Sequence, residues 1–203
     1  MNMNSQNELP AAAYIKLKDV PVVHHLSKIR CGSYTTEWIA RAIGLHPIPA
    51  NDLLHGPIWF DMFRPIVPSD MMKLFRFRGM ECEEVDLNAF TDDQRLEWVK
   101  RQVAVIRKPP AILIKTKILH WIAVGGYDDK AKVFFIYDSR YGNSSIDPAF
   151  PIGNNSIPYD TFLKVWKGRW WLKYKAIVIT TTVKNPQLIP ELHINNANVE
   201  YPQ

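Results

Sequence analysis

Cysteine is scarce in this sequence: Cys31 and Cys82 are the only two among 203 residues. Two cysteines do not form a disulfide framework, so nothing indicates an oxidising compartment. The N-terminal stretch has no basic segment followed by an apolar one, and this argues against a secretory signal peptide. No apolar run approaches the roughly 18 residues of a membrane span. We therefore expect no membrane span and a cytoplasmic location, or export without a cleavable signal peptide.

A strong charge of one sign is also lacking. The chain has 25 Lys and Arg against 20 Asp and Glu, a net charge of +5, which does not imply a nucleic-acid partner. The stretch RWWLKYK (169–175) interleaves bases with aromatic residues, a pattern that can stack on single-stranded nucleic acid. We favour an edge strand whose bases extend along apolar surface, and we expect no nucleic acid as a partner.

Apolar residues, by contrast, are abundant. They make up 47% of the chain, and aromatic residues make up 12%, which is enough for a sizeable core and argues against disorder. The length favours one compact domain, and no internal repeat is present. We expect a flexible leader over residues 1–12, a single domain over 13–183 and an extended, Pro- and Asn-containing tail over 184–203.

Three helices are predicted in the first half of the chain. In TTEWIARAIG (35–44), apolar residues recur at helical spacing until a glycine ends the pattern. Residues 68–79 form a second amphipathic pattern, with Ser69 as the expected N-cap. Residues 91–108 open with a threonine cap and acidic residues and close on basic residues before a proline, as helices do.

Strands follow in the second half. Four segments are rich in β-branched and aromatic residues: AILIKT (111–116), LHWIAVGGYD (119–128), KVFFIYD (132–138) and WLKYKAIVITTT (171–182). The turns between the first three are short, so they should pair antiparallel. One more short helix is expected in IPYDTFLKVWKG (157–168). The class is therefore α+β with an antiparallel sheet. Gly125 and Gly126 indicate a bulge or a close-packing point rather than a nucleotide loop.

Cys31 is the first candidate for chemistry. It lies where a helix should begin, and a helix N-terminus together with a nearby imidazolium lowers the pKa of a thiol and makes it nucleophilic. The alternative is a small apolar core residue, since free cysteine is among the most buried residue types. Cys82 is flanked by glutamates that would raise its pKa, so we expect it to be structural.

His120 and Asp138 are the second and third candidates. His120 starts one predicted strand, and Asp138 ends the next, eighteen residues later. If the two strands form a hairpin, residue 120 lies roughly opposite residue 138, and the carboxylate can hold the imidazole and stabilise its charged form. The alternative for Asp138 is a turn residue that caps Tyr141 or Gly142.

In motif, the chain resembles papain-like cysteine peptidases of the C39-like, bacteriocin-leader type. Three stretches carry the resemblance: VPVVHHLSKIRCGSYTTEWIARAIG, LHWIAVGGYDDKAKVFFIYDSRYG and IPYDTFLKVWKG. It implies a nucleophile helix near the N-terminus packed on the antiparallel sheet. It also implies that Cys31 is the nucleophile, that His120 is the general base and then the acid, and that Asp138 orients His120.

The sequence departs from the family at one position. Six residues before the nucleophile, where the family has an oxyanion-hole glutamine, stands His25. Its imidazole could donate a hydrogen bond alongside the backbone N–H of Cys31, so His25 is the candidate second donor. The alternative is a papain-like module that has lost this donor and only binds a peptide. A metal site formed by His24, His25, His120 and Cys31 is disfavoured, because no spaced pair resembles a zinc site.

These observations predict a cysteine-dependent amide hydrolase, most simply a bacterial C39-like thiol peptidase that acts on a peptide or protein through a thioester. It would need no cofactor. Glutamine deamidases and transglutaminase-like acyl-transfer toxins share every step up to the thioester, so they remain open as alternatives.

Overall fold

The computed structural model describes residues 8–15, 31–45, 67–141, 153–168 and 170–182. The helices in these ranges are α1 (Cys31–Ala42), α2 (Pro68–Phe77), α3 (Asp92–Arg101) and α4 (Tyr159–Trp166). The strands are β1 (Ala12–Tyr14), β2 (Met80–Asp86), β3 (Ala111–Lys115), β4 (Leu119–Asp128), β5 (Val133–Tyr137), β6 (Asn155–Pro158) and β7 (Lys175–Thr182). None of the helices in these ranges is long and apolar enough to cross a membrane.

The strands form one sheet in the order β2-β7-β3-β4-β5-β6, and every pairing is antiparallel. The short strand β1 pairs with the far end of β4, where Ala13 lies opposite Tyr127. The prediction of an α+β fold with an antiparallel sheet is confirmed. β4 is the longest strand and has β3, β5 and β1 as neighbours, so it is the best-supported element on which to place a functional side chain.

Helices cover both faces of this sheet. Since side chains alternate across a strand, Trp121 and Ala123 of β4 join one core with α1 and α2, while Ile122 and Val124 join the other with α3 and α4. In the first core, Trp38 of α1 stacks on Tyr137 at 5.7 Å between ring centroids. In the second core, the ring centroids of Phe162 and Trp166 of α4 lie 5.1 Å apart. The α1 face carries the candidate nucleophile.

The helix ends show where local sequence signals compete. The prediction that Ser69 caps α2 is wrong: the N-cap is Val67, and Pro68 takes the first helical position, to which its fixed φ angle suits it. Helix α3 has the predicted threonine cap, and Thr91 and Gln94 form a reciprocal capping box. This helix ends before residue 108, because Gln102–Ile106 forms a π-helical turn and Arg107 adopts a left-handed conformation (φ 60°).

Several strands differ from expectation. β1, β2 and β6 were not predicted, and β7 begins at Lys175 rather than at residue 171. RWWLKYK is therefore not an edge strand: Trp170–Leu172 forms a 3₁₀ turn, Tyr174 is left-handed (φ 49°), and β7 lies inside the sheet. The predicted bulge in β4 is confirmed by the register shift between Val124 and Gly126.

The capping box of α3 gives a stability prediction. We expect Thr91→Ala to lower the free energy of unfolding by about 1 kcal/mol, because the backbone N–H of Gln94 loses its acceptor. Thr91→Ser keeps a hydroxyl at the cap and should retain most of the stability. Urea denaturation of the three proteins measures both effects, and equal losses in the two variants would contradict the capping role.

Candidate active site

The structure brings Cys31, His120 and Asp138 together from three elements. Cys31 is the first residue of α1, His120 is the second residue of β4, and Asp138 directly follows β5. The helix and β4 are joined next to the site, where the Thr35 hydroxyl donates a buried hydrogen bond of 3.1 Å to the backbone carbonyl of Trp121. The three predicted residues therefore form one constellation among the described parts of the chain.

His120 and Asp138 are directly hydrogen bonded. The imidazole Nε2 lies 2.7 Å from Oδ1 of Asp138, and the two residues are only 1% and 0% exposed. The strand register differs from the predicted one: Ala123 pairs with Tyr137, so extending the ladder would place residue 120 opposite 140. The bond is thus diagonal, which side chains at the open end of a hairpin can span.

The other imidazole nitrogen, Nδ1, remains for the thiol. His120 interacts electrostatically with Cys31, and its buried Nδ1 has no hydrogen-bond partner among the described residues, so this nitrogen can take a proton from the thiol. Burial by itself lowers the pKa of His120, but the hydrogen bond to Asp138 and the interaction with Cys31 reverse this and raise it to about 9. The surroundings of the ring therefore favour the imidazolium at neutral pH.

Cys31 responds in the opposite sense. Burial raises the pKa of its thiol, yet the interaction with the positively charged His120, with the backbone N–H groups of Trp121 and Gly32, brings the pKa below its usual value. Its place at the start of a 12-residue helix favours negative charge as well. The geometry thus favours a thiolate–imidazolium pair, the state in which a cysteine is nucleophilic.

Asp138 is held by Arg140, which sequence reasoning missed. The guanidinium contacts both carboxylate oxygens: Nε lies 3.1 Å from each, and Nη2 lies 2.5 Å from Oδ2. The backbone N–H of Arg140 also donates to Oδ1 at 2.9 Å, so the side chain of Asp138 does cap a turn, at Arg140 rather than at Tyr141, while Gly142 lies outside the described residues. Burial would raise the pKa of Asp138, but hydrogen bonds from His120 and Arg140 hold it well below its usual range.

Asn154, also missed, holds the backbone of the acid. It is 1% exposed; its Oδ1 accepts from the N–H of Asp138 at 2.8 Å, and its Nδ2 donates to the carbonyls of Asp138 and Tyr141. A Cβ added to the preceding Gly153 would lie 2.2 Å from the carbonyl oxygen of Ile136, so this approach of the chain to β5 needs glycine. A polar residue after a glycine carries no distinctive signal, which explains the omission.

Of the remaining candidate residues, only Cys82 lies in the part of the chain that the structure describes. His24 and His25 fall outside the described residues, so the oxyanion role of His25 stays a prediction. The described residues include no group of three or more His, Cys, Asp or Glu able to hold a metal ion. Cys82 lies in β2, and its thiol is directed to the carbonyl of Met72. Burial, together with the negative charge of Glu81, raises the pKa of the Cys82 thiol to about 11. A raised pKa makes a thiol a poor nucleophile, in agreement with a structural role.

Comparison with known proteins supplies the fold relationship. No family model and no curated protein matches the chain. A solved double glycine motif protease from an AMS/PCAT transporter, in complex with the leader peptide, is 15% identical and has a TM-score of 0.54; the match covers 83% of this chain and 95% of that one. The peptidase domain of Streptococcus ComA, a bi-functional ABC transporter involved in a quorum-sensing pathway, is 14% identical at the same TM-score, with 81% and 100% covered.

The chain has the fold of a C39-type peptidase domain. The resemblance predicted from the sequence motifs is thereby confirmed at the level of the fold. This relationship concerns the fold, and the assignment of candidate residues rests on the geometry of Cys31, His120 and Asp138 described above.

The Cys31–His120 pair predicts an abnormal thiol titration. We expect the rate of Cys31 alkylation by iodoacetamide to show a pKa below the free-thiol value of about 8.5, and to return towards that value in His120→Ala. Both proteins should carry Cys82→Ser so that a single thiol reacts. A thiol with an ordinary pKa in both proteins would show that the pair does not exist.

The Asn154 contacts predict a stability effect. Asn154→Ala should lower the free energy of unfolding by about 1–3 kcal/mol, because buried backbone groups of Asp138 and Tyr141 lose their partners. The neighbouring Asn155→Ala is the matched control, since among the described residues the Asn155 side chain accepts only from the adjacent Ser156 N–H. Chemical denaturation should separate the two variants; equal stabilities would contradict the role given to Asn154.

Proposed function

We propose that this protein is a cysteine peptidase-like amide hydrolase in which Cys31 is the nucleophile, His120 the proton carrier and Asp138 the residue that orients His120. The observation that carries the proposal is the buried imidazole of His120, which is hydrogen bonded through Nε2 to Asp138, interacts with the Cys31 thiol and keeps Nδ1 without a hydrogen-bond partner among the described residues. A structural histidine does not require both partners, whereas a thiol hydrolase does.

The first half-reaction forms a thioester. The Cys31 thiolate attacks the carbonyl carbon of the scissile amide, and the carbonyl oxygen takes the negative charge. As the C–N bond breaks, the His120 imidazolium gives its Nδ1 proton to the leaving amine and becomes neutral. Asp138 keeps the ring aligned through Nε2, so the proton is delivered from a fixed position.

The second half-reaction releases the acyl group. Neutral His120 takes a proton from a water molecule, whose oxygen attacks the thioester carbonyl carbon. The C–S bond then breaks, giving a carboxylic acid and restoring the thiolate–imidazolium pair. In both steps the oxyanion needs donors. The N–H of Cys31 at the start of α1 is one, since the first N–H groups of a helix have no acceptor within it, and His25 is the candidate second.

For the substrate we propose a peptide with a double-glycine site at the end of a leader segment. The support is the fold shared with the double glycine motif protease that was solved with its leader peptide. Two glycines lack side chains, so the backbone of such a peptide can approach a thiol that is only 7% exposed.

The test is cleavage of a synthetic leader peptide that carries Gly-Gly before a short cargo and one glutamine elsewhere, analysed by mass spectrometry. We expect cleavage after the second glycine, and a loss of about 10⁶-fold in rate for Cys31→Ala. The matched control, Cys82→Ala, should retain the wild-type rate.

Three results would contradict the peptidase proposal. Deamidation of the glutamine, or its coupling to an added amine, would favour the acyl-transfer alternatives. Binding of the intact peptide without any reaction would favour the binding-module alternative.

A further inference from the structure

The charges of the candidate site do not balance within the three residues. A Cys31 thiolate, a His120 imidazolium and an Asp138 carboxylate leave one negative charge uncompensated, and the three residues are 7%, 1% and 0% exposed. An uncompensated charge away from water is strongly disfavoured. Another cation must therefore stand close to the site.

Arg140 occupies that place. Its guanidinium makes three contacts of 2.5–3.1 Å with the Asp138 carboxylate, on a partner whose side chain is fully buried. The remaining arm, Nη1, donates to the Thr116 hydroxyl at 2.9 Å, which anchors the arginine to the turn between β3 and β4. Such a forked, anchored contact differs from a surface ion pair, whose partners are both hydrated and mobile.

We propose that Arg140 is the charge-balancing and positioning residue of the site: it holds Asp138 against His120 and makes the set of four charges neutral. This inference rests on the proposed function, since it assigns Arg140 a task in the same constellation. Neither the sequence motifs nor the fold resemblance assigns a residue to this charge-balancing role.

Among the described residues, the other charged groups around the site do not take this role. Glu37 of α1 pairs with Arg41 at 2.8 Å, and the buried Arg78 interacts with the same carboxylate. The phenol of Tyr137 is kept neutral by burial and by nearby negative charge, which raise its pKa. Within the described ranges, the titratable and charged groups that interact with the site are Cys31 from α1, His120 from β4, Tyr137 from β5, and Asp138, Arg140 and Tyr141 after it.

The positive charge of Arg140 should shift the deprotonation of Cys31 and His120 in a definite direction. Both deprotonations, of the Cys31 thiol and then of the His120 imidazolium, leave the site more negative, and a nearby positive charge favours each of them. Cys31 and Arg140 do interact electrostatically. Removing the charge should therefore move both steps to higher pH, by about one pH unit for charges several ångströms apart in a partly buried site.

The experiment compares Arg140→Gln, Arg140→Lys and Arg101→Gln in the Cys82→Ser background. The readout is the pH profile of Cys31 alkylation by iodoacetamide, with circular dichroism as the check on folding. Arg101 is the matched control, because it is a partly exposed arginine of α3 that pairs with Glu97 at 3.5 Å. Arg140→Gln should shift the profile upward by about one pH unit, so that alkylation on the acid side slows about tenfold.

Arg140→Lys keeps the charge and loses the fork. Its alkylation profile should stay within a few tenths of a pH unit of wild type, while peptide cleavage slows because Asp138 is held less firmly. Arg101→Gln should change neither property. A folded Arg140→Gln with the wild-type profile, or an Arg140→Lys profile shifted by a full unit, would overturn the proposal.

The alkylation readout separates this inference from the proposed function, because it needs no substrate. A wild-type thiol that titrates normally would contradict the proposed function itself. A wild-type thiol with a lowered pKa that Arg140→Gln leaves unchanged would overturn the role of Arg140 alone.

Discussion

The buried hydrogen bond between His120 and Asp138 is the interaction on which the arrangement of the site depends. It fixes the imidazole plane, and it leaves Nδ1 as the nitrogen available to Cys31. Because both groups are removed from water, the bond cannot be exchanged for solvent, and each group needs further partners. Asp138 finds them in Arg140 and Asn154, so one short bond organises the residues that surround it.

The antiparallel sheet and α1 make this bond and the thiol meet. β4 and β5 form a hairpin whose open end carries the histidine and the acid. The first turns of α1 are held from two sides. The Thr35 hydroxyl donates to the Trp121 carbonyl of β4. The buried Arg78, just after α2, donates to the Thr36 hydroxyl at 3.0 Å and to the Ser33 carbonyl at 3.2 Å. The first turn of the helix is thereby held before any substrate binds, which is what nucleophilic catalysis requires of a scaffold.

Much of the fold and the site could be predicted from the sequence. Along β3, β4, β5 and α3, the spacing of apolar residues and the residues that begin or end an element indicate the same structure. The hairpin prediction brought His120 and Asp138 together even though its register was two residues off. Features that depend on non-local packing were missed: β2 carries Glu81, Glu83 and Glu84 among its seven residues and becomes a strand only beside β7. Arg140 and Asn154 were missed for the same reason, since their partners are set by the turn after β5 and by the approach of a distant segment.

The most direct test of the central claim is the protonation state of His120, measured by NMR of its imidazole nitrogens from pH 5 to 10. The account predicts an imidazolium at pH 7, with a pKa near 9 that falls in Cys31→Ala, because the thiolate that stabilises the ring is gone. A ring that is neutral at pH 7, and titrates near 6.5 with or without the thiol, would contradict the thiolate–imidazolium pair and the function built on it.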